Sequence, residues 1–129
     1  MKKLFKHYSD YQEGWYWKNF RPEEIACKCC GEFYLDTESM DALQFLRDLW
    51  KVPLVLTSAH RCPKHNAEVG GVESSPHLKI AFDCAVPKND QMSFIKLAEE
   101  AGFMGIGRYP SRNFVHLDKG TPFPRRWLD

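Results

Sequence analysis

Two short motifs in the second half of the 129-residue chain carry side chains that bind metal ions. The first runs from Ser75-Pro76-His77 to Asp83, and the second is Phe114-Val115-His116-Leu117-Asp118. Together His77, Asp83 and His116 supply two imidazoles and one carboxylate, a ligand set typical of catalytic zinc, which keeps its fourth coordination position open to water. The sequence therefore predicts a hydrolytic metal site rather than a closed structural one.

Asp118 lies two positions after His116, so the two side chains share one face if this segment is a strand. A carboxylate at that position can accept the N–H of the imidazole, which orients the ring for metal binding. It can also act as a general base on the water at the metal. The spacing alone leaves both roles open.

Hydrophobic spacing predicts the elements that position these groups. Apolar residues recur every three or four positions between Thr37 and Trp50, after the N-capping residue Asp36, so we expect a helix there. The other predicted elements, in chain order, are a strand over 54–56, a helical turn over 63–69, a strand over 80–86, a helix over 91–101 and a hairpin of two strands over 104–109 and 114–118. This mixture predicts an α+β fold with a small antiparallel sheet flanked by helices, in a single domain over residues 1–129.

Alternation along the strand over 80–86 separates its side chains into two faces. Ile80, Phe82, Cys84 and Val86 share the apolar face. Asp83 lies on the other face with Ala81 and Ala85. The carboxylate therefore points away from the most apolar side of the strand.

Residues 1–19 are predicted to form an N-terminal arm rich in aromatic residues. Between Tyr8 and Phe20 the aromatic side chains follow neither helical nor strand periodicity, which indicates an extended segment packed over the core. The alternative is an exposed aromatic surface for sugars or a protein partner.

The composition argues against two classes of partner. Lys and Arg total 18 against 17 Asp and Glu, so the net charge of +1 does not produce the positive field that drives binding to nucleic-acid backbones. No run of about 18 apolar residues is present to span a bilayer. The basic start of the chain is not followed by the apolar stretch of a signal peptide, so we expect synthesis in the cytoplasm without an export signal.

Five cysteines in a chain without a visible secretion signal favour thiols or metal ligands over a disulfide framework. The segment Cys27-Lys28-Cys29-Cys30-Gly31 is similar to a zinc knuckle, in which thiolates bind a metal across a tight glycine turn. A closed site needs a further ligand, for which Cys62 is the obvious candidate. Three interpretations remain open, namely reduced buried thiols, a structural zinc, or a disulfide with Cys62.

Several segments resemble, in the same order, the zinc D-Ala-D-Ala carboxypeptidase family, a group of peptidoglycan peptidases that includes bacteriophage endolysins and murein endopeptidases. These segments are Thr57-Ser58-Ala59-His60-Arg61-Cys62-Pro63-Lys64-His65-Asn66, Val69-Gly70-Gly71, Ser75-Pro76-His77-Leu78, Ala81-Phe82-Asp83 and Phe114-Val115-His116-Leu117-Asp118. The resemblance extends from Phe20, through the cysteine segment, to Arg126-Trp127 and so covers most of the chain.

The resemblance implies a hedgehog/D-Ala-D-Ala-peptidase-like fold and one catalytic zinc bound by His77, Asp83 and His116. It places Arg61 near the scissile peptide carbonyl or a substrate carboxylate, where a guanidinium can stabilise an oxyanion or bind a carboxylate through two hydrogen bonds. Ser75 matches the Ser-x-His of the family and is expected either to form a hydrogen bond behind the metal ligands or to cap the loop.

The chain departs from the family pattern at two places near the site. His77 and Asp83 are six positions apart instead of the usual seven, and the glycine that usually follows the histidine by three positions is missing, which predicts a tighter loop. Asn113 and Phe114 occupy positions where relatives often carry a Glu, Asp or His as general base. The prediction for the catalytic base therefore shifts to Asp118.

The predicted function is a zinc-dependent peptidase that hydrolyses an amide bond in the stem peptides of peptidoglycan, as a carboxypeptidase or as an endopeptidase of the endolysin type. We expect a monomer that acts on the cell wall after release from the cytoplasm, in the manner of phage lysis enzymes. The alternative is a cell-wall-binding or virion structural module that keeps the fold but has lost turnover. The short loop and the missing upstream base motivate this alternative.

Overall fold

Two β-sheets and four α-helices make up the computed structural model, which describes residues 1–129. The strands are β1 (Lys2–Phe5), β2 (Phe33–Asp36), β3 (Leu56–Ser58), β4 (Phe82–Ala85), β5 (Gly105–Tyr109), β6 (Phe114–Asp118) and β7 (Arg125–Leu128). The helices are α1 (Pro22–Ile25), α2 (Thr37–Trp50), α3 (Pro63–Glu68) and α4 (Gln91–Glu100). The prediction of an α+β fold is confirmed.

The strands pair in one small and one larger sheet. β1 pairs antiparallel with β2, and the other five strands follow the order β3-β4-β6-β5-β7. Every pair in the larger sheet is antiparallel except β5 with β7. The chain reverses after β6 and adds β7 to the far edge of β5, so β7 necessarily runs parallel to β5. The larger sheet is therefore mixed, whereas only antiparallel pairing was predicted.

Helix α2 begins and ends as its sequence predicts. The Asp36 carboxylate caps it by accepting a hydrogen bond from a backbone N–H of the first turn, at 3.2 Å. Lys51 adopts a left-handed conformation, with φ of 64°, and terminates it. The buried residues of α2 are Ser39, Met40, Ala42, Leu43 and Leu46.

The core lies on one face of the larger sheet. Helix α4 packs on β5 and β6, and α2 packs on α4. Phe82, Ile106 and Leu117 point from the sheet into this core and are almost completely buried. The alternate residues of the same strands, among them Asp83 and His116, therefore lie on the opposite face.

The N-terminal arm begins as β1, which was not predicted, and then packs aromatic side chains against the core. Trp17 and Phe20 are buried there. The Trp17 indole N–H donates to the Asp41 carboxylate at 2.8 Å, which ties the arm to α2. Tyr16 points outward and is 77% exposed.

Three strands differ from the expectation. The strand predicted over 54–56 lies two residues later, as β3, because Leu56 and Ser58 are the residues that pair with Cys84 and Asp83 of β4. Val55 is 60% exposed, so this segment is not the fully buried strand that was expected. β1 and β7 were missed because each begins with two consecutive basic residues, Lys2-Lys3 and Arg125-Arg126, which break the apolar alternation of a strand. None of the helices combines the length and the apolar composition that a bilayer span requires.

Candidate metal centre and its cleft

The pairing of β4 with β6 places Asp83 directly opposite His116. Asp83 Oδ1 lies 3.1 Å from His116 Nδ1. His77 lies on a short 3-10 turn, Pro76–Leu78, and its Nε2 is 3.2 Å from Asp83 Oδ2. The structure thus brings the three predicted ligands together, with one donor atom of each within 4.8 Å of the others. The shortened loop before Asp83 is long enough for His77 to reach the carboxylate.

In each imidazole, the nitrogen that points away from Asp83, here called the outer nitrogen, faces a hydrogen-bond acceptor. That acceptor determines which ring nitrogen carries the hydrogen. His77 Nδ1 lies 2.6 Å from the carbonyl oxygen of Ala59, which can only accept, so Nδ1 carries the hydrogen. His116 Nε2 lies 2.7 Å from Asp118 Oδ2, and an ionised carboxylate likewise only accepts. In the neutral rings the inner nitrogens, His77 Nε2 and His116 Nδ1, therefore present lone pairs toward Asp83.

Two lone pairs and a carboxylate that converge in this way repel one another unless a cation lies among them. The cation can be a proton on the rings or a metal ion. Donors about 2.0–2.2 Å from a tetrahedral zinc are about 3.3–3.6 Å apart, close to the separations of 3.1 and 3.2 Å seen here. Two imidazoles and one carboxylate are also a donor set of catalytic zinc sites. The side chains at this position therefore fit zinc.

The members of the cluster shift one another's pKa. Burial opposes ionisation of Asp83, but hydrogen bonds with His116 and His77 outweigh it and hold the pKa of this carboxyl well below its usual range. Burial lowers the pKa of His116, whereas its bonds to Asp118 and Asp83 raise it and prevail. The pKa of Asp118 falls to about 2, because hydrogen bonds from His116 and Gly120 outweigh burial. The two carboxylates keep the centre attractive to cations.

Asp118 is almost completely buried behind His116. Besides the imidazole, it accepts the backbone N–H of Gly120 at 3.0 Å and a hydrogen bond from the Arg125 guanidinium. It contacts the ring nitrogen opposite to the one that faces Asp83. These contacts favour the ring-orienting role considered for Asp118 over the role of general base.

Ser75 performs a capping role in the loop that carries His77. Its hydroxyl accepts the backbone N–H of His77 at 3.2 Å. The Arg61 guanidinium donates to the same oxygen at 3.4 Å. Ser75 therefore supports the ligand loop and links it to Arg61, without touching the imidazole through a hydrogen bond.

Arg61 borders the metal cluster in a cleft of about 450 Å³. His77, Asp83 and His116 line the same cleft. Burial lowers the pKa of Arg61, but a guanidinium remains charged in proteins. Its Nε is buried and lacks a hydrogen-bond partner within the chain. The guanidinium therefore keeps unused hydrogen-bonding capacity at the edge of the cluster.

Trp127 is a cleft residue to which the sequence analysis assigned no role. It lies on β7 with its ring centroid 5.1 Å from that of His116, and its indole N–H donates to the Tyr109 hydroxyl at 2.9 Å. Gly107 is its partner in the sheet register, and a Cβ at Gly107 would collide with the indole. The Gly105-Ile106-Gly107 alternation was the sequence signal, since paired glycines on one strand face leave room for large neighbours.

The outer rim of the cleft is aromatic and positively charged. Tyr109 and Phe114 stack with their centroids 4.2 Å apart, and the exposed Arg112 guanidinium lies 5.1 Å from the Phe114 ring centroid. Asp83 is the only carboxylate among the cleft-lining residues. Phe114, one of the two positions at which the resemblance led us to look for a general base, instead contributes an apolar wall to the cleft.

The predicted cysteine cluster lies outside this cleft. The thiols of Cys27, Cys29, Cys30 and Cys62 lie within 4.8 Å of one another. Cys84 is separate and fully buried in the core.

Comparison with known proteins adds one finding to this geometry. The sequence model of the family described as Peptidase M15 matches residues 18–118, more than three-quarters of the 129-residue chain. The matched range includes the metal cluster, Arg61 and the clustered cysteines. No curated protein and no solved structure matches the chain significantly.

Proposed function

The chain belongs to the Peptidase M15 family of zinc-dependent metallopeptidases, and from this membership we propose that it hydrolyses an amide bond in the peptide part of bacterial peptidoglycan. The observation that carries the proposal is the convergence of His77 Nε2, Asp83 and His116 Nδ1 in an open cleft. Their outer nitrogens are already committed to Ala59 and Asp118, so the inner donors are free for one metal ion.

Zinc bound by these three residues would polarise a peptide carbonyl and lower the pKa of a coordinated water toward about 7. Hydrogen bonds within the protein fix the orientation of the two imidazoles. Asp118 keeps the His116 ring in one orientation, and the Ala59 carbonyl does the same for His77. Both acceptors also increase the basicity of the imidazole that they contact.

Arg61 supports the proposal as a substrate-binding residue. The position of its guanidinium in the cleft, beside His77, Asp83 and His116, suits a hydrogen bond to an oxygen that gains negative charge as the amide bond is attacked. The same guanidinium suits a substrate carboxylate, and Arg112 adds a second positive charge at the rim. Stem peptides of peptidoglycan carry free carboxylates, so their charge complements this cleft.

The alternative is a module that binds the cell wall or a virion partner without turnover. One observation favours it, since no carboxylate other than Asp83 lines the cleft to accept the proton of the attacking water. The two functions differ in whether amide bonds are broken.

The test combines metal analysis with digestion of purified peptidoglycan, with and without a chelator. The hydrolase should release new amino groups, lose this activity in chelator and regain it when zinc is restored. His77→Ala and His116→Ala should each abolish release, whereas His7→Ala, a histidine outside the cleft, should retain it. Metal binding and peptidoglycan binding without any release of amino groups would instead support the non-catalytic module.

A further inference from the structure

Four cysteine thiols meet between the turn after α1 and the start of α3. Cys27 and Cys62 are buried, whereas Cys29 and Cys30 are exposed. The Sγ of Cys29 lies 3.6 Å from that of Cys27 and 3.5 Å from that of Cys62. The cluster therefore joins two segments that are more than 30 positions apart in the sequence.

These sulfur separations match a shared metal ion better than a disulfide. A disulfide bond is about 2.05 Å long and joins only two of the four sulfurs. Sulfurs about 2.3 Å from a central tetrahedral zinc are about 3.8 Å from one another. The separations of 3.5 and 3.6 Å, together with the limit of 4.8 Å for all pairs, are close to that geometry.

The backbone around the cluster provides the turn and the hydrogen bonds that thiolates need. Gly31, with φ of +80°, closes a tight turn in which its N–H donates to the carbonyl of Cys27 at 2.8 Å. The N–H of Cys62 points at Cys27 Sγ from 3.4 Å, and the N–H of His65 points at Cys62 Sγ from 3.3 Å. Such donors stabilise negative charge on sulfur.

We propose that Cys27, Cys29, Cys30 and Cys62 bind a structural zinc ion, distinct from the ion proposed for the cleft. Four thiolates complete a tetrahedron and leave no position for water, so this site is closed and has no part in hydrolysis. Soft thiolate donors in tetrahedral arrangement select zinc over magnesium or calcium.

The position of the site explains what it would stabilise. Cys62 directly follows Arg61, and the carbonyl of Ala59 accepts the hydrogen bond from His77 Nδ1. On the other side, the N–H of His60 donates to the carbonyl of Ile25, two residues before Cys27, at 3.0 Å. A zinc ion across the four cysteines would fasten the segment over 59–62, which carries Arg61 and orients His77, to the turn over 27–31.

The test separates the two metals. The full chain with His77→Ala and His116→Ala loses the cleft ligands and should retain one zinc per molecule, whereas the unmodified chain should bind two. X-ray absorption at the zinc edge of this double variant should show four sulfurs at about 2.3 Å. Absence of metal from the double variant would overturn the structural site while leaving the cleft proposal intact. An imidazole in place of one sulfur would overturn the four-cysteine assignment, with His65 as the replacing ligand.

A second measurement does not depend on any variant that must fold. In the zinc-loaded chain, the exposed Cys29 and Cys30 should react with a thiol reagent at least ten-fold more slowly than after chelation. Equal rates before and after chelation, or a mass lower by two hydrogens that reveals a disulfide, would overturn the proposal.

Two single variants locate the zinc within the cluster. Cys62→Ser should lose one zinc, and Cys84→Ala, which changes the cysteine outside the cluster, should lose none.

Discussion

The backbone N–H of Arg61 donates to the carbonyl oxygen of His77 at 2.7 Å. This hydrogen bond joins the segment that carries Arg61, the residue proposed to bind substrate, to the turn that carries His77, a proposed metal ligand. The Ala59 carbonyl, two positions before Arg61, accepts from the His77 imidazole in return. The two functional groups are therefore held by one local structure, and a change at either one has a defined effect on the other.

Arg61→Lys should reduce kcat/KM on peptidoglycan peptides by about 100-fold, because a lysine ammonium cannot form the two parallel hydrogen bonds of a guanidinium. Zinc content should not change, since Arg61 is not a ligand. Steady-state kinetics and metal analysis on the same preparation check both statements. Unchanged kinetics would show that Arg61 does not bind the substrate.

Asp118→Asn should weaken zinc binding in the cleft by about 10–100-fold, because the amide loses the charge that orients and polarises His116. Turnover should fall as well and recover in part when excess zinc is supplied. Competition titrations with a zinc indicator measure the affinity. A general base would behave differently, with a large fall in kcat at unchanged zinc affinity.

Gly107→Ala should destabilise the fold by about 1–3 kcal/mol, because the added Cβ collides with the Trp127 indole. The same substitution in a Trp127→Ala background should cost much less, since the colliding ring is absent. Denaturant unfolding of the two single variants and the double variant gives the coupling energy. Additive effects would show that the glycine is not required by Trp127.

The free energy of unfolding should depend on pH differently with and without zinc. In chelated protein the pKa of His116 lies above its usual value of about 6.5, so the protonated ring stabilises the fold below that pH and this contribution is lost as pH rises through the folded-state pKa. Asp83 and Asp118 have lowered pKa values, so their contribution is present above about pH 4 and is lost on acidification.

Chelated protein should therefore be most stable between about pH 4 and 6.5 and lose stability toward pH 8, whereas zinc-loaded protein should stay stable over that upper range. Urea unfolding at several pH values, with zinc or with chelator, provides the comparison. Identical pH profiles in the two states would contradict a metal centre built on these residues.

Part of this arrangement could be predicted from the sequence. The periodicity of α2, with Asp36 as its cap, and the alternation that turns Asp83 away from Phe82 and Cys84 are local properties, and the structure has both. The role of β7 could not be predicted, because Arg125 and Arg126 break the apolar pattern and its pairing with β5 is not local. Which imidazole nitrogen faces Asp83 likewise depends on acceptors from distant segments, Ala59 and Asp118.

Anomalous X-ray scattering at the zinc absorption edge, from crystals grown with zinc, tests directly whether the cleft binds a metal ion. We predict a peak among His77 Nε2, the Asp83 carboxylate and His116 Nδ1, with donor distances of about 2.0–2.2 Å. Zinc-supplied crystals with well-ordered electron density for these three side chains, but without an anomalous peak among them, would contradict the proposed metal centre.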